Sequence, residues 1–373
     1  MLKIAFTGDI AFSKHFTGAF ERDFISAEVK NFLKESDHVV ANVEGAITEG
    51  SITSSRGLNH ATPPAAIPTL LECGAKVWSL ANNHTVDCGV EGLEDTLRLA
   101  KENGCETIGA GMNLEEAAKP VYFEGAGGVG VFSLTYDRDF LTADESTPGC
   151  LVNGNTEQIR KNIQEIKSKC RWCIVVCHAG AEFTQLPLPY VRKRFHEFLA
   201  MGADFVVGHH PHVVQNYEQV GSKVIFYSLG NFIFDTNYQR NQRYTENGML
   251  VRLNLTEENY AFEAMPIHID RENQTIVKGE MPAHFKHISP LQYAILWPRA
   301  CQDYAVNYKS ALLLNHPEYK QNPEKFWFDR LKGRHGAGMA WEYYIDPIFA
   351  KVLPLWRLGD KDVKGYIPDH KKK

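Results

Sequence analysis

Several absences narrow the field before any motif is considered. None of the chain's apolar stretches approaches the roughly 20 residues a helix needs to cross a bilayer. The opening Met1-Leu2-Lys3-Ile4-Ala5-Phe6-Thr7-Gly8-Asp9 reaches an acid too soon for a secretory leader, so a cytoplasmic location is expected. There is no excess of basic charge: 40 Lys and Arg stand against 45 Asp and Glu, a net charge of −5. Binding to nucleic acid needs a concentrated cationic surface, so that class of partner is excluded. The one basic run, Lys371-Lys372-Lys373, reads as a solvated tail. Repeats and low-complexity segments are missing too, and 44% apolar residues with 23% charged describe an ordinary globular protein. Cysteines are present, but without a zinc-knuckle pattern. Cys170 and Cys173 form a lone C-x-x-C leading into a strand, and Cys73, Cys88, Cys105, Cys150, Cys177 and Cys301 read as reduced core residues.

What is present is an alternation of two periodicities. Strands are expected at Lys3–Thr7, His38–Ala41, Lys76–Leu80, Val129–Thr135, Cys173–Cys177, Asp204–Val207, Lys223–Ser228 and Met249–Asn254. Helices are expected between them at Ser26–Glu35, Ala65–Glu72, Val90–Glu102, Thr156–Lys169 and Pro189–Met201. This is the pattern of a layered α/β domain. The run Gly125-Ala126-Gly127-Gly128-Val129-Gly130 fits G-x-G-x-x-G by letter, yet it leads into a strand pattern rather than a helix. A hairpin turn is expected there, not a dinucleotide site. The character changes further on, so a domain over 1–288 and a mainly helical extension over 289–373, packed on it, are expected.

Chemistry gathers where strands end. Asp9, Asn42 with Glu44, Asn82-Asn83-His84, His178, His209-His210-Pro211-His212 and Asn231 each follow or finish a strand. Ligands of α/β sheets bind beyond the carboxyl ends of strands, so these residues can converge. Oxygen and imidazole donors without a thiolate suit Mn, Fe or Zn. In an extended His210-Pro211-His212, residues i and i+2 point the same way, which assigns both rings to the site and His209 to the opposite face in a supporting role.

Gly8-Asp9-Ile10, Asn42-Val43-Glu44 and Leu80-Ala81-Asn82-Asn83-His84 with Asp87 and Gly89 occur in order along the chain. So do His178-Ala179-Gly180-Ala181-Glu182-Phe183, Gly202-Ala203-Asp204, Gly208-His209-His210-Pro211-His212-Val213-Val214-Gln215 and Tyr227-Ser228-Leu229-Gly230-Asn231-Phe232. Over residues 3–255 the chain resembles the CapA proteins of poly-γ-glutamate capsule synthesis, within the calcineurin-like metallophosphoesterase superfamily. The resemblance implies a two-sheet β-sandwich flanked by helices. It implies one or two divalent ions, the first held by Asp9, Glu44 and His212 and the second by Glu44, Asn83, His178 and His210. His84 would donate a hydrogen bond or proton in catalysis. Two positions depart from the pattern: Ala11 stands where the superfamily has a metal-binding His, and Ala179 where the family has Trp.

The expected reaction is hydrolysis by a metal-bound hydroxide, with His84 and Glu182 as the catalytic side chains. Asn42, Asn82, His209 and Asn231 would support the ligands or bind substrate. The substrate is expected to be a small phosphoester or a polyglutamate-like envelope polymer. The competing expectation is a non-catalytic, polymer-binding accessory protein with a degenerate metal site.

Overall fold

The computed structural model describes residues 1–297, apart from 13, 17, 56–58 and 138–140. Met1–Ser289 forms one compact unit. Residues 290–297 are helical, and the rest of the expected helical extension lies outside the described residues.

Two sheets make the centre of the compact unit. The first runs, edge to edge, Thr275–Lys278, Tyr260–Asp270, Asn247–Leu255, Leu2–Ile10, His38–Val43, Ala75–Ser79, Glu106–Ile108, with Asn231–Ile233 added in parallel to Leu2–Ile10. The second runs Tyr217–Val220, Lys223–Phe226, Phe205–His209, Trp172–His178, Val129–Thr135, Val121–Phe123. All eight expected strands are present, and Thr156–Lys169 and Pro189–Met201 are helical over the expected residues. The glycine run joins the antiparallel pair Val121–Phe123 and Val129–Thr135, the expected hairpin.

Strand alternation sorts side chains into three apolar layers. Ile4, Phe6, Val40 and Val77 of the first sheet meet Val131, Ile174, Val176, Phe205 and Val207 of the second, forming the inner layer. The outer face of the first sheet packs Ala5, Val39, Ala41 and Trp78 against Val29, Leu33, Ile67, Leu70 and Leu93 of its helices. On the second sheet, Val175, Cys177 and Val206 pack against Ile159, Ile163, Ile166, Phe195 and Phe198. Those isoleucines recur at spacings of four and three, so one face of Thr156–Lys169 is buried. Each such buried side chain contributes about 1.5–3 kcal/mol. Layering is therefore helix, sheet, sheet, helix, the sandwich expected.

The same alternation delivers polar groups to one end of the inner layer. Trp172, Ile174 and Val176 point inward, and His178 continues the series. Phe205 and Val207 point inward, and His209 continues theirs. Asp9 needs one further device. Phe6 pairs with Val40 and Asp9 with Asn42, so the strand carries an extra residue between them. The bulge turns Asp9 to the inner face, where unbroken alternation from Ile4 and Phe6 would have placed Gly8. Gly8 itself must be glycine, because a Cβ there would sit 2.4 Å from the Gly230 carbonyl oxygen.

No described helix is long and apolar enough to cross a membrane. The seven cysteines among the described residues are free thiols.

Candidate metal centre

Asp9 is the organiser of the site. It is fully buried, and its Oδ1 accepts from Asn42 Nδ2 at 2.9 Å and His209 Nδ1 at 3.0 Å. Its Oδ2 accepts from His212 Nδ1 at 3.1 Å and the His210 amide at 3.4 Å. Burial pushes its carboxyl up, but the hydrogen bonds from His209 and His212 outweigh it and hold the group well below the usual range. Asn231 Oδ1 lies 3.0 Å from His212 Nδ1, and the Asn231 amide is anchored on Gln239 Oε1 and the Thr245 carbonyl.

These contacts correct the expectation for the histidine run. His210 and His212 have φ of 94° and 56°, so the segment is not extended. Left-handed backbone at two non-glycine residues is strained, and here it turns both rings into the site. His209 does not face away: it ends its strand on the inner face and binds Asp9. Strand parity through Phe205 and Val207, rather than the i, i+2 rule, was the relevant signal.

Glu44 is the opposite of Asp9. It too is fully buried, yet among the described residues neither carboxylate oxygen accepts a hydrogen bond. Three imidazole nitrogens surround its Oε1: His84 Nε2 at 3.7 Å, His212 Nε2 at 3.8 Å and His178 Nε2 at 3.9 Å. Such distances are too long for hydrogen bonds. They match the roughly 3–4 Å between two ligands that each bond one ion at about 2.1 Å. Burial pushes the Glu44 carboxyl well above the usual range, with His212 opposing and Asp9 adding to the rise. Burial also works against charge on His212, but Glu44 and Asp9 outweigh it and push that ring up to about 10. His178 is held well below its ordinary value by burial and then by His210.

The neighbouring groups fit the same picture. Asn83 Oδ1 lies 2.7 Å from His178 Nε2. Asn82 points away from the centre and stitches the loop: its amide donates to the Val43 carbonyl, and its Oδ1 accepts from the His84 and Gly45 amides. Asn42 Nδ2 also lies 3.4 Å from His178 Nδ1. His84 Nδ1 is 2.6 Å from Asp87 Oδ2. Ligand atoms of Glu182, His210 and His212 come within 4.8 Å of one another. At the mouth, the Tyr238 hydroxyl donates to Glu182 Oε2 at 3.5 Å, and Phe183 stacks near His212. Every expected site residue is therefore in or beside one cluster.

Two residues were not anticipated. His60, 3% exposed, lies with its ring centroid 4.2 Å from that of His84. Phe234 packs on both His60 and His212. Nothing around His60 in the sequence forms a motif, and its approach depends on the fold.

Residues 3–236 match the family of bacterial capsule synthesis proteins described as PGA_cap. Capsule biosynthesis protein CapA of Bacillus anthracis is 30% identical over 282 residues, 72% of this chain and 67% of that one. PGA biosynthesis protein CapA of Bacillus subtilis (strain 168) is 31% identical over 290 residues, 75% of each chain. Among solved structures, 5'-nucleotidase from Candida albicans SC5314 aligns with a TM-score of 0.42 at 13% identity, covering 73% of this chain and 52% of that one. The chain belongs to the PGA_cap family.

Proposed function

We propose, with membership of the capsule synthesis family as the premise, that the protein is a metal-dependent hydrolase whose ion rests on Glu44. Its substrate would be a phosphoester or a poly-γ-glutamate or related envelope polymer. The observation that carries this reading is the Glu44 carboxylate, buried without a hydrogen bond beneath three imidazole nitrogens. A buried carboxylate without a partner costs several kcal/mol, and a cation removes that cost. Glu44, Asn83, His178 and His212 would hold the ion, with His210 and Glu182 at its open side. A bound divalent ion lowers the pKa of a coordinated water from 15.7 toward about 7 and polarises the oxygen of the bond under attack.

The chain's own residues prepare that chemistry. Asp9 fixes the rings of His209 and His212 by hydrogen bonds, which sets the tautomer of each and aims His212 Nε2 at Glu44. Asn82 locks the Asn83-His84 loop to the strand end that carries Glu44. Glu182 and Tyr238 stand at the mouth, where they would orient a substrate group.

A non-catalytic, polymer-binding role is favoured by two observations: Ala11 offers no ligand, and all four contacts of Asp9 are hydrogen bonds within the protein. One experiment separates the readings. The protein is stripped with a chelator, reloaded with Mn or Zn, checked by elemental analysis, and offered phosphomonoesters, phosphodiesters and γ-linked glutamyl peptides. The hydrolase reading expects turnover of one class, lost on stripping and restored on reloading. A fully loaded protein that hydrolyses none of them contradicts it and leaves the accessory role.

A further inference from the structure

We propose that His60 and His84, with Glu44, form a second metal position, in which His60 brings the imidazole that Ala11 does not offer. The inference rests on the metal-centre reading above and extends it to a residue that no motif marks. It also moves His84 from the proton-donor role implied by the resemblance to that of a ligand.

Three observations place His60 there. First, ligand atoms of Glu44, His60 and His84 all lie within 4.8 Å of one another, and so, separately, do those of Asp9, Glu44 and His178. Glu44 is common to both groups, as a carboxylate bridging two ions would be. Second, the backbone holds His60 in place. Its amide donates to Asp87 Oδ2 at 2.9 Å, the same oxygen that lies 2.6 Å from His84 Nδ1, so one carboxylate fixes both histidines. An imidazole tied to a carboxylate through Nδ1 presents Nε2 outward, the usual arrangement of a ligating histidine. A side chain at Gly45, which has φ of 93°, would also collide with the His60 carbonyl oxygen at 2.6 Å. Glycine beside Glu44 is what lets the His60 backbone approach.

Third, His60 enters from the side of Ala11. The Ala11 amide donates to the Ile233 carbonyl, and the Phe12 amide donates to Thr62 Oγ1 at 3.2 Å. His60 precedes Thr62 by two residues, and its ring packs on Phe234, which follows Ile233. Ala11 is thus bracketed by the two segments that carry His60 and its packing partner. An imidazole absent from one strand is supplied by another stretch of chain.

Titration with Mn or Zn, read by calorimetry and by elemental analysis after dialysis, tests this on the full chain. The variants are His60→Gln, His84→Gln and His178→Gln, with His60→Phe as a second form that keeps the ring packing but has no nitrogen. Circular dichroism establishes that each is folded. The wild type is expected to hold two ions. Both His60 variants and His84→Gln should weaken the same ion at least about tenfold, since loss of even an outer partner of a ligand costs roughly 10–100-fold. His178→Gln should weaken the other. The proposal is overturned if the His60 variants bind both ions as the wild type does. It is equally overturned if the wild type holds a single ion, whether or not His60 affects it, because the metal-centre reading then stands without a second position. A wild type that binds no ion removes the underlying reading and this inference together.

Discussion

Among the described residues two glutamates are buried, in different parts of the sandwich, and they are treated in opposite ways. Glu218, on the Tyr217–Val220 strand of the second sheet, has a full set of partners. Arg192 reaches both its oxygens, at 2.6 and 3.0 Å, the Tyr227 hydroxyl donates at 2.8 Å, and His196 Nε2 lies at 3.1 Å. Burial pushes its carboxyl up, but His196, Arg192 and Tyr227 outweigh it and hold it at about 2. Glu44, at the carboxyl end of the first sheet, is buried as deeply and accepts no hydrogen bond from any described residue. A satisfied buried charge is part of the scaffold, whereas an unsatisfied one awaits a cation from outside the chain. Four predictions follow from the contrast.

The largest effect is expected at Glu44. Replacing it by Gln should cut metal-dependent hydrolysis at least about a thousandfold, roughly 4 kcal/mol of barrier. Melting of the metal-free protein should be unchanged or raised, because a buried carboxyl group without a hydrogen-bond partner has gone. A clear loss of metal-free stability would show that Glu44 is structural after all.

Glu218→Ala should do the reverse. Urea unfolding is expected to show a loss of about 3 kcal/mol, because the buried contacts that Arg192, Tyr227 and His196 make to this carboxylate are lost, while metal content stays at the wild-type level. Loss of metal in a folded Glu218→Ala protein would erase the distinction between the two regions.

Third, ions at a hundred times their Kd should stabilise the wild type by about 2.7 kcal/mol in urea unfolding and leave Glu44→Gln unmoved. Equal stabilisation of both proteins would point to binding elsewhere.

The smallest effect is one of pH. The Glu218 carboxyl is held at about 2 in the folded protein against an ordinary 4.5. As the pH falls, the unfolded chain takes up the proton first, so this stability is present above pH 4.5 and drains away as the pH falls toward 2. The metal-free protein should lose roughly 1 kcal/mol through this group by pH 3.5. Glu218→Gln should lack that part of the acid-induced loss, and an unchanged acid limb would deny the group its role.

Much of this was legible in the residues, and the reason differs from place to place. The strands carried strong signals because each is a short apolar or β-branched run. The helices Thr156–Lys169 and Pro189–Met201 were marked by apolar residues at helical spacing, and in the structure Asn155 caps the first and a proline stands in the first turn of the second. The polar strand ends announced the site. Three things were hidden. The bulge that turns Asp9 inward is a register shift between two strands, and one strand's sequence does not contain it. The left-handed backbone at His210 and His212 is imposed by contacts on either side, such as the Phe183 amide on the Pro211 carbonyl. His60 reaches His84 only because Asp87 and Gly45 admit it, and that is a property of the assembled chain.

The central claim is that Glu44 lacks a partner because a metal ion is its partner. Anomalous diffraction from crystals soaked in Mn or Zn tests it most directly. The account predicts a peak about 2.0–2.2 Å from a Glu44 carboxylate oxygen, with His178 or His212 within bonding distance of the same ion. A fully soaked crystal with no peak there, and Glu44 still bare among the histidines, would contradict it.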